Sequence, residues 1–301
     1  MQPDGMRKDD ATEWPTLALM VGCYGLWATT TWFAAGLSLW IAIPVVAAIL
    51  ALHSSLQHEV LHGHPFKNVR LNEALVFPAL GLAIPYERFR DTHLAHHRNE
   101  LLTDPYDDPE SNYIDPRVWR ELPAWRRRLL SFNNILIGRL LIGPALGMIS
   151  FVTSDVRLAR DGDRAVQRAW LLHLLGVVPV LLWVGASTMP LWAYFVSAYL
   201  GLSILKIRTF LEHRADERVA GRSVIVEDRG PLALLFLNNN FHAVHHAHPQ
   251  VAWYKLPMLY RSRRDVFLKR NGGYRYPSYG AIFREHLLRA KDPVSHPLMD
   301  E

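Results

Sequence analysis

The sequence predicts an all-α membrane protein: four transmembrane helices in two hairpins, with a cytoplasmic helical cap that carries clustered histidines. Three observations predict it. No charged residue lies between Glu13 and His53, and none between Arg168 and Lys206. Each of these windows is long enough for two spans of about 20 residues. Most of the 15 histidines of this 301-residue chain gather in tight groups outside the windows.

The first window divides at Ala35-Gly36, giving spans near 17–33 and 37–52. The second divides at Ser187-Thr188-Met189-Pro190, giving spans near 169–186 and 191–206. Connections this short between apolar runs this long describe hairpins that cross a bilayer and return. The first run is not a cleaved leader, because it lacks a compact basic start and a second span follows at once. Ala74–Tyr86 holds Pro78 and Pro85 and is too short to span. Leu140–Val152, bounded by Arg139 and Asp155 and broken by Pro144, is also short, so both read as interfacial segments. The whole chain, 1–301, reads as one membrane-embedded domain whose cap is 53–168 and 207–301. The first and last dozen residues read as flexible ends.

Orientation follows from the 33 Lys and Arg, none of which falls in a hairpin turn. Basic residues stay on the cytoplasmic side, so both termini and the middle block are expected there. The net charge of +5 needs no nucleic-acid partner, since anionic headgroups attract a basic membrane-facing surface. The single cysteine, Cys23, leaves neither a disulfide nor a cysteine metal site available.

The histidines come in groups: His58 and His62; His93, His96 and His97; His213; and His242, His245 and His246. The pattern H-x-x-H-H therefore occurs twice. On a helix, residues three and four apart share a face, so each group is expected to converge on a common point. All four groups fall on the cytoplasmic side, near the ends of the second and fourth spans. Had Leu140–Val152 crossed, His213 and the third group would face away from the first two. Nine imidazoles exceed the four ligands of a tetrahedral zinc and suit two metals with open positions. Without two Glu-x-x-His motifs they also differ from carboxylate-bridged di-iron bundles. His53, His64 and His248 sit beside the groups, and His53 offers His58 a second spacing. His173 reads as a helix-packing residue, and His286 and His296 read as solvated.

These residues resemble the three histidine boxes of the membrane fatty acid desaturase superfamily. His58-x-x-x-His62 is similar to the first box, with Glu59 where Asp is commoner. His93-x-x-His96-His97 is similar to the second and His242-x-x-His245-His246 to the third, while His213 stands where a further ligand is common. The stretches His97–Glu100, Leu102–Pro105 and Asp107–Ser111 look like those of bacterial members. The resemblance runs from the first span to about Tyr260.

The resemblance implies two iron ions that use dioxygen and two electrons to remove hydrogen from an unactivated alkyl chain. It implies a fatty acyl substrate, lipid-linked or thioester, and desaturation as the reaction. Hydroxylation or ketolation of a hydrocarbon or carotenoid is the alternative, because no residue decides whether oxygen is inserted. No nucleotide-binding G-x-G-x-x-G occurs, so electrons are expected from a separate protein such as ferredoxin or rubredoxin. A zinc hydrolase would leave most of the histidines without work. A metal transporter would want ionisable groups inside its spans, where only His173 is found.

Around the boxes, Glu59, Asp91, Glu100, Asp104 and Glu212 are each read either as orienting an imidazole or as surface charges. Asn238 is read either as holding a water at the metal or as a capping residue. Arg88, Arg90, Arg139 and Lys255 face either a substrate's anionic head or lipid headgroups. Trp253 and Tyr254 read as interfacial anchors.

Overall fold

The computed structural model describes residues 12–97 and 101–299. The chain divides into two compact units: Met1–Arg90 with Gly147–Leu205 and Gln250–Tyr254, and Asp91–Leu146 with Lys206–Pro249 and Lys255–Glu301.

The first unit is built on the apolar runs. Trp14–Leu37, Leu39–Leu61 and Arg164–Ala186 are each long and apolar enough to cross a membrane. Half of the Leu39–Leu61 window is buried, against 28% of each of the other two, so Leu39–Leu61 is the central helix. Leu37, Trp40 and Leu182 on these helices are exposed. The fourth expected run forms the Leu191–Thr209 helix. Its apolar character is diluted by Trp192, Tyr194, Ser197, Tyr199 and Ser203, and it ends in Lys206 and Arg208. Among the described residues, three helices meet both requirements of length and apolarity.

Small residues and polar side chains join these helices, as expected where lipid supplies no hydrophobic drive between them. Ser197 Oγ donates to the Ile43 carbonyl at 3.1 Å, and Thr188 Oγ1 donates to the Trp32 carbonyl at 2.9 Å. A Cβ on Gly36 would sit 3.3 Å from Thr188, so the two interhelical turns lie side by side.

Residues 76–85 form no helix, yet they pack among the long apolar helices. Backbone there needs partners from protein. The Tyr24 hydroxyl donates to the Leu75 carbonyl at 2.7 Å, and Tyr194 donates to Leu80 at 2.8 Å. The His173 ring donates to the Leu82 carbonyl at 3.0 Å, which makes it a packing residue. Gly176 lets this segment close on the helix, since a Cβ would stand 2.4 Å from the Phe77 carbonyl oxygen.

Pro144 does not break a helix. It occupies the first turn of Gly143–Arg160, where a missing N–H costs nothing. Asp155 on that helix is buried and accepts from Arg88 through both carboxylate oxygens, at 2.9–3.1 Å, and from Trp170 Nε1 at 2.8 Å. Arg88 is therefore spent on a protein carboxylate, and Arg90 likewise pairs with Glu73.

The second unit is made of short helices. They include Pro116–Glu121, Ala124–Asn133, Leu136–Leu141, His242–Ala247, Leu256–Ser262, Arg264–Arg270 and Tyr279–His286. A parallel pair of two-residue strands, Ile225–Val226 and Arg275–Tyr276, is a small departure from the all-α expectation. Arg139 is buried here and donates to the Asn133 carbonyl and to Asn112, so it does not face a headgroup. The end of the chain also departs from expectation. The Ile114 N–H donates to the Val294 carbonyl at 2.9 Å and the His296 N–H to Ile114 at 2.8 Å, so this segment is held rather than loose. The first eleven residues lie outside the described part.

Candidate metal centre

The second box ends the Tyr86–His96 helix, and the third occupies the short His242–Ala247 helix. Within the second unit their histidines meet, but each box divides. One ring nitrogen from each of His96, His213, His242 and His246 lies within 4.8 Å of all the others. His93, His97 and His245 form another set: His97 Nε2 is 3.0 Å from His93 Nε2 and 3.1 Å from His245 Nε2.

This corrects the expectation that each H-x-x-H-H converges on one point. Residues four apart are about 40° apart around a helix, whereas adjacent residues are about 100° apart. The outer pair of each box therefore shares a set and the middle histidine turns to the other. His93 and His97 are joined by His245, and His242 and His246 are joined by His96.

Carboxylates and amides fix the rings. His96 Nδ1 donates to Asp108 Oδ1 at 2.7 Å, and His93 Nδ1 donates to Glu110 Oε1 at 2.9 Å. His242 Nδ1 donates to Asn239 Oδ1 at 3.1 Å, and Ser223 Oγ lies 3.2 Å from His213 Nδ1. Carboxylate and carbonyl oxygens only accept, so Nδ1 of His93, His96 and His242 carries the proton. In the neutral rings the Nε2 lone pairs then point inward. His213 Nε2 is 2.8 Å from His96 Nε2 and 2.9 Å from His242 Nε2. Two nitrogens about 2.1 Å from one ion stand roughly 3 Å apart at right angles. The donor set fits a metal.

The electrostatics agree for the rings that burial keeps neutral. Burial, with neighbouring imidazoles adding to it, pushes His213, His242 and His246 well below the ordinary histidine value, so they are neutral. His97 is lowered to about 3 by burial and by His93 and His96. Burial works against a charge on His96, but Glu110 and Asp108 prevail and raise it to about 9 in the metal-free protein. Burial would raise Glu110, yet His96 and His93 hold it below the usual carboxylate range. Glu212 is raised by burial, with Arg208 opposing, and its Oε1 is 3.6 Å from His242 Nδ1.

Sequence reasoning missed Asp108, Glu110, Asn239 and Ser223. The signal for the first two was the Asp107–Ser111 stretch, whose acidic residues carried the resemblance without being given a role. Of the carboxylates it did name, Asp91 is exposed and Glu100 lies outside the described residues. Asp104 caps a turn through the Tyr106 and Asp107 N–H groups. Asn238 has φ +55°, and its neighbour Asn239 accepts from His242.

In the first unit, the His58 and His62 rings lie 4.8 Å apart at the end of the Leu39–Leu61 helix, and Gly63, at φ +89°, turns the chain there. Glu59 is 3.8 Å from His58 Nδ1 and accepts from the Trp253 N–H at 3.1 Å. Trp253 is thus tied to protein, also through its indole to Thr16. His53 stands 3.1 Å from the Tyr24 hydroxyl, and His64 stands 2.8 Å from a Glu13 oxygen. His248 packs edge-on against Phe267. His286, expected in solvent, is buried and 2.9 Å from the Tyr276 hydroxyl. His296 is likewise half-buried, edge-on to Tyr113.

Residues 30–278 match the fatty acid desaturase family model. A search of curated proteins gave no match.

Proposed function

This chain belongs to the fatty acid desaturase family, and we propose that it is an integral membrane oxidoreductase that desaturates a fatty acyl chain at two irons. The ligands in this reading are His58, His62, His93, His96, His97, His213, His242, His245 and His246. What supports two metals rather than one is the division of His213 and the six histidines of the second and third boxes between two sets, each with nitrogens at metal-bridging separations. His58 and His62 join the reading on their spacing and on the proximity of their rings.

Bound iron would supply activation of dioxygen and removal of hydrogen from an unactivated C–H. The chain's own residues do the rest. Asp108, Glu110 and Asn239 hold Nδ1–H groups so that Nε2 faces inward, a restraint that also raises ligand basicity. Burial of His93, His96, His242 and His245 keeps bulk water from the site.

Membrane placement follows the same reading: four spans in two hairpins, both termini and the histidine cap cytoplasmic, in a bacterial inner membrane. The three apolar helices and the Leu191–Thr209 helix support it. The acyl substrate enters from lipid, and electrons come from a separate protein such as ferredoxin or rubredoxin. The basic cap suits an acidic donor.

Expression in a host with saturated lipids, followed by mass spectrometry of total acyl chains, tests the reaction. Acyl chains that lose two hydrogens at one position support desaturation. Products that gain an oxygen, or oxidised carotenoids beside untouched acyl chains, favour the hydroxylase or ketolase alternative.

A further inference from the structure

The last residues of the described chain lie beyond the family match, which ends at residue 278, yet they grip a candidate ligand. We propose that Lys291 and Asp292 are positioning residues for the metal set of His96, His213, His242 and His246. The proposal rests on the two-metal reading above and adds to it a strap outside the histidine boxes.

His213 lies past the end of the Leu191–Thr209 helix, so no regular helix holds its ring in place. One edge of its segment is held by Ser223 and its neighbours. The Arg214 N–H donates to the Arg222 carbonyl at 2.9 Å, and the Val224 N–H to Glu212 at 3.1 Å. The strap holds the other edge. Lys291 Nζ donates to the His213 backbone carbonyl and pairs with Asp292 Oδ2 at 3.0 Å. The same Asp292 oxygen accepts from the Tyr113 hydroxyl at 2.6 Å, and Tyr113 accepts from the Ala215 N–H at 2.9 Å.

His213 and Ala215 are therefore clamped from two sides through one carboxylate. The clamp is itself anchored, because Asn134 Nδ2 donates to the Asp292 carbonyl at 2.6 Å. Lys291 is only 13% exposed, so its charge-assisted bond is little weakened by water. Releasing one edge lets the His213 ring drift, and a drift of tenths of an ångström matters at a metal. His213 belongs to one set only, so the effect is selective.

The test uses full-length, iron-loaded protein in detergent or lipid and follows iron release to a strong ferrous chelator. Lys291→Met keeps the aliphatic stem and removes the charge. One of the two irons should then leave about tenfold faster, the low end for losing an outer partner, while the other keeps its parental rate. Lys291→Arg should stay within about threefold of the parent. Tyr113→Phe, a milder change at the same clamp, should speed the same iron and covers the case in which Lys291→Met folds poorly. In a His97→Ala background the one remaining iron should be the labile one, and in His213→Ala the Lys291→Met change should add nothing. Unchanged release in both variants, or equal acceleration of both irons, would overturn the strap. Fewer than two irons in the parent would instead overturn the two-metal reading, and the proposal with it.

Discussion

Asp108→Ala removes the acceptor that aims His96. Asp108 is buried and accepts three hydrogen bonds: from His96 Nδ1 at 2.7 Å, the Thr103 N–H at 2.8 Å and the Glu110 N–H at 2.9 Å. Losing the carboxylate frees the imidazole to rotate, and removing such an outer partner costs about 10–100-fold in metal affinity. That is roughly 1.4–2.8 kcal/mol on one site. It also strands two backbone donors, at about 1–3 kcal/mol each, so folding should weaken by about 2–6 kcal/mol. Asp108→Asn separates the two effects, since its amide oxygen still accepts while the charge is gone. The assay is a chelator titration of iron per chain alongside thermal unfolding. Asp108→Ala should release one iron at a chelator strength that leaves the parent loaded, and it should melt earlier. A folded Asp108→Ala protein that binds both irons as tightly as the parent would refute the role given to this carboxylate.

Adjacent histidines should behave differently. His245→Ala and His246→Ala should each lose one iron, the His245→Ala/His97→Ala pair should still hold one, and His245→Ala/His246→Ala should hold none; equally empty pairs would mean one shared site. In metal-free protein His96 is raised from 6.5 to about 9, with burial opposing and Glu110 and Asp108 prevailing. Its contribution to folding is whole below pH 6.5 and is lost as pH rises through about 9. The melting temperature of chelator-treated protein should fall across that window, and Glu110→Gln should flatten the fall; a fall equally steep in both would remove the assigned cause. Cysteine labelling from outside intact cells should reach a probe at Ser187, Thr188 or Met189 but not one beside His64 or His248. Labelling beside either histidine would overturn the four-span arrangement.

The helices of the first unit were legible because charge-free windows of that length have few solutions other than spans. The fourth was harder to grade: Leu191–Thr209 is a helix, but its tyrosines, serines and terminal cations make it less apolar than its three companions. The boxes were legible from spacing, and of the nine histidines expected, His213 and the six of the second and third boxes fall into metal-sized sets within the second unit. Their division was not read, because spacing says which residues share a helix face but not that two faces meet two partners. Asp108 and Glu110 were hidden for a similar reason, since a loop carboxylate reveals its target only once the chain has folded back. The Lys291–Asp292 strap lacks any periodicity, so a polar terminal stretch looked loose. His286 was misjudged the same way, because its burial depends on Tyr276 across a turn.

The central claim is that the histidines hold two irons, and counting metal on the purified chain tests it most directly. Protein prepared from membranes without chelator should contain close to two irons per chain and little else, and its acyl-desaturating activity should track that content. A fully active preparation with one zinc and no iron would contradict it.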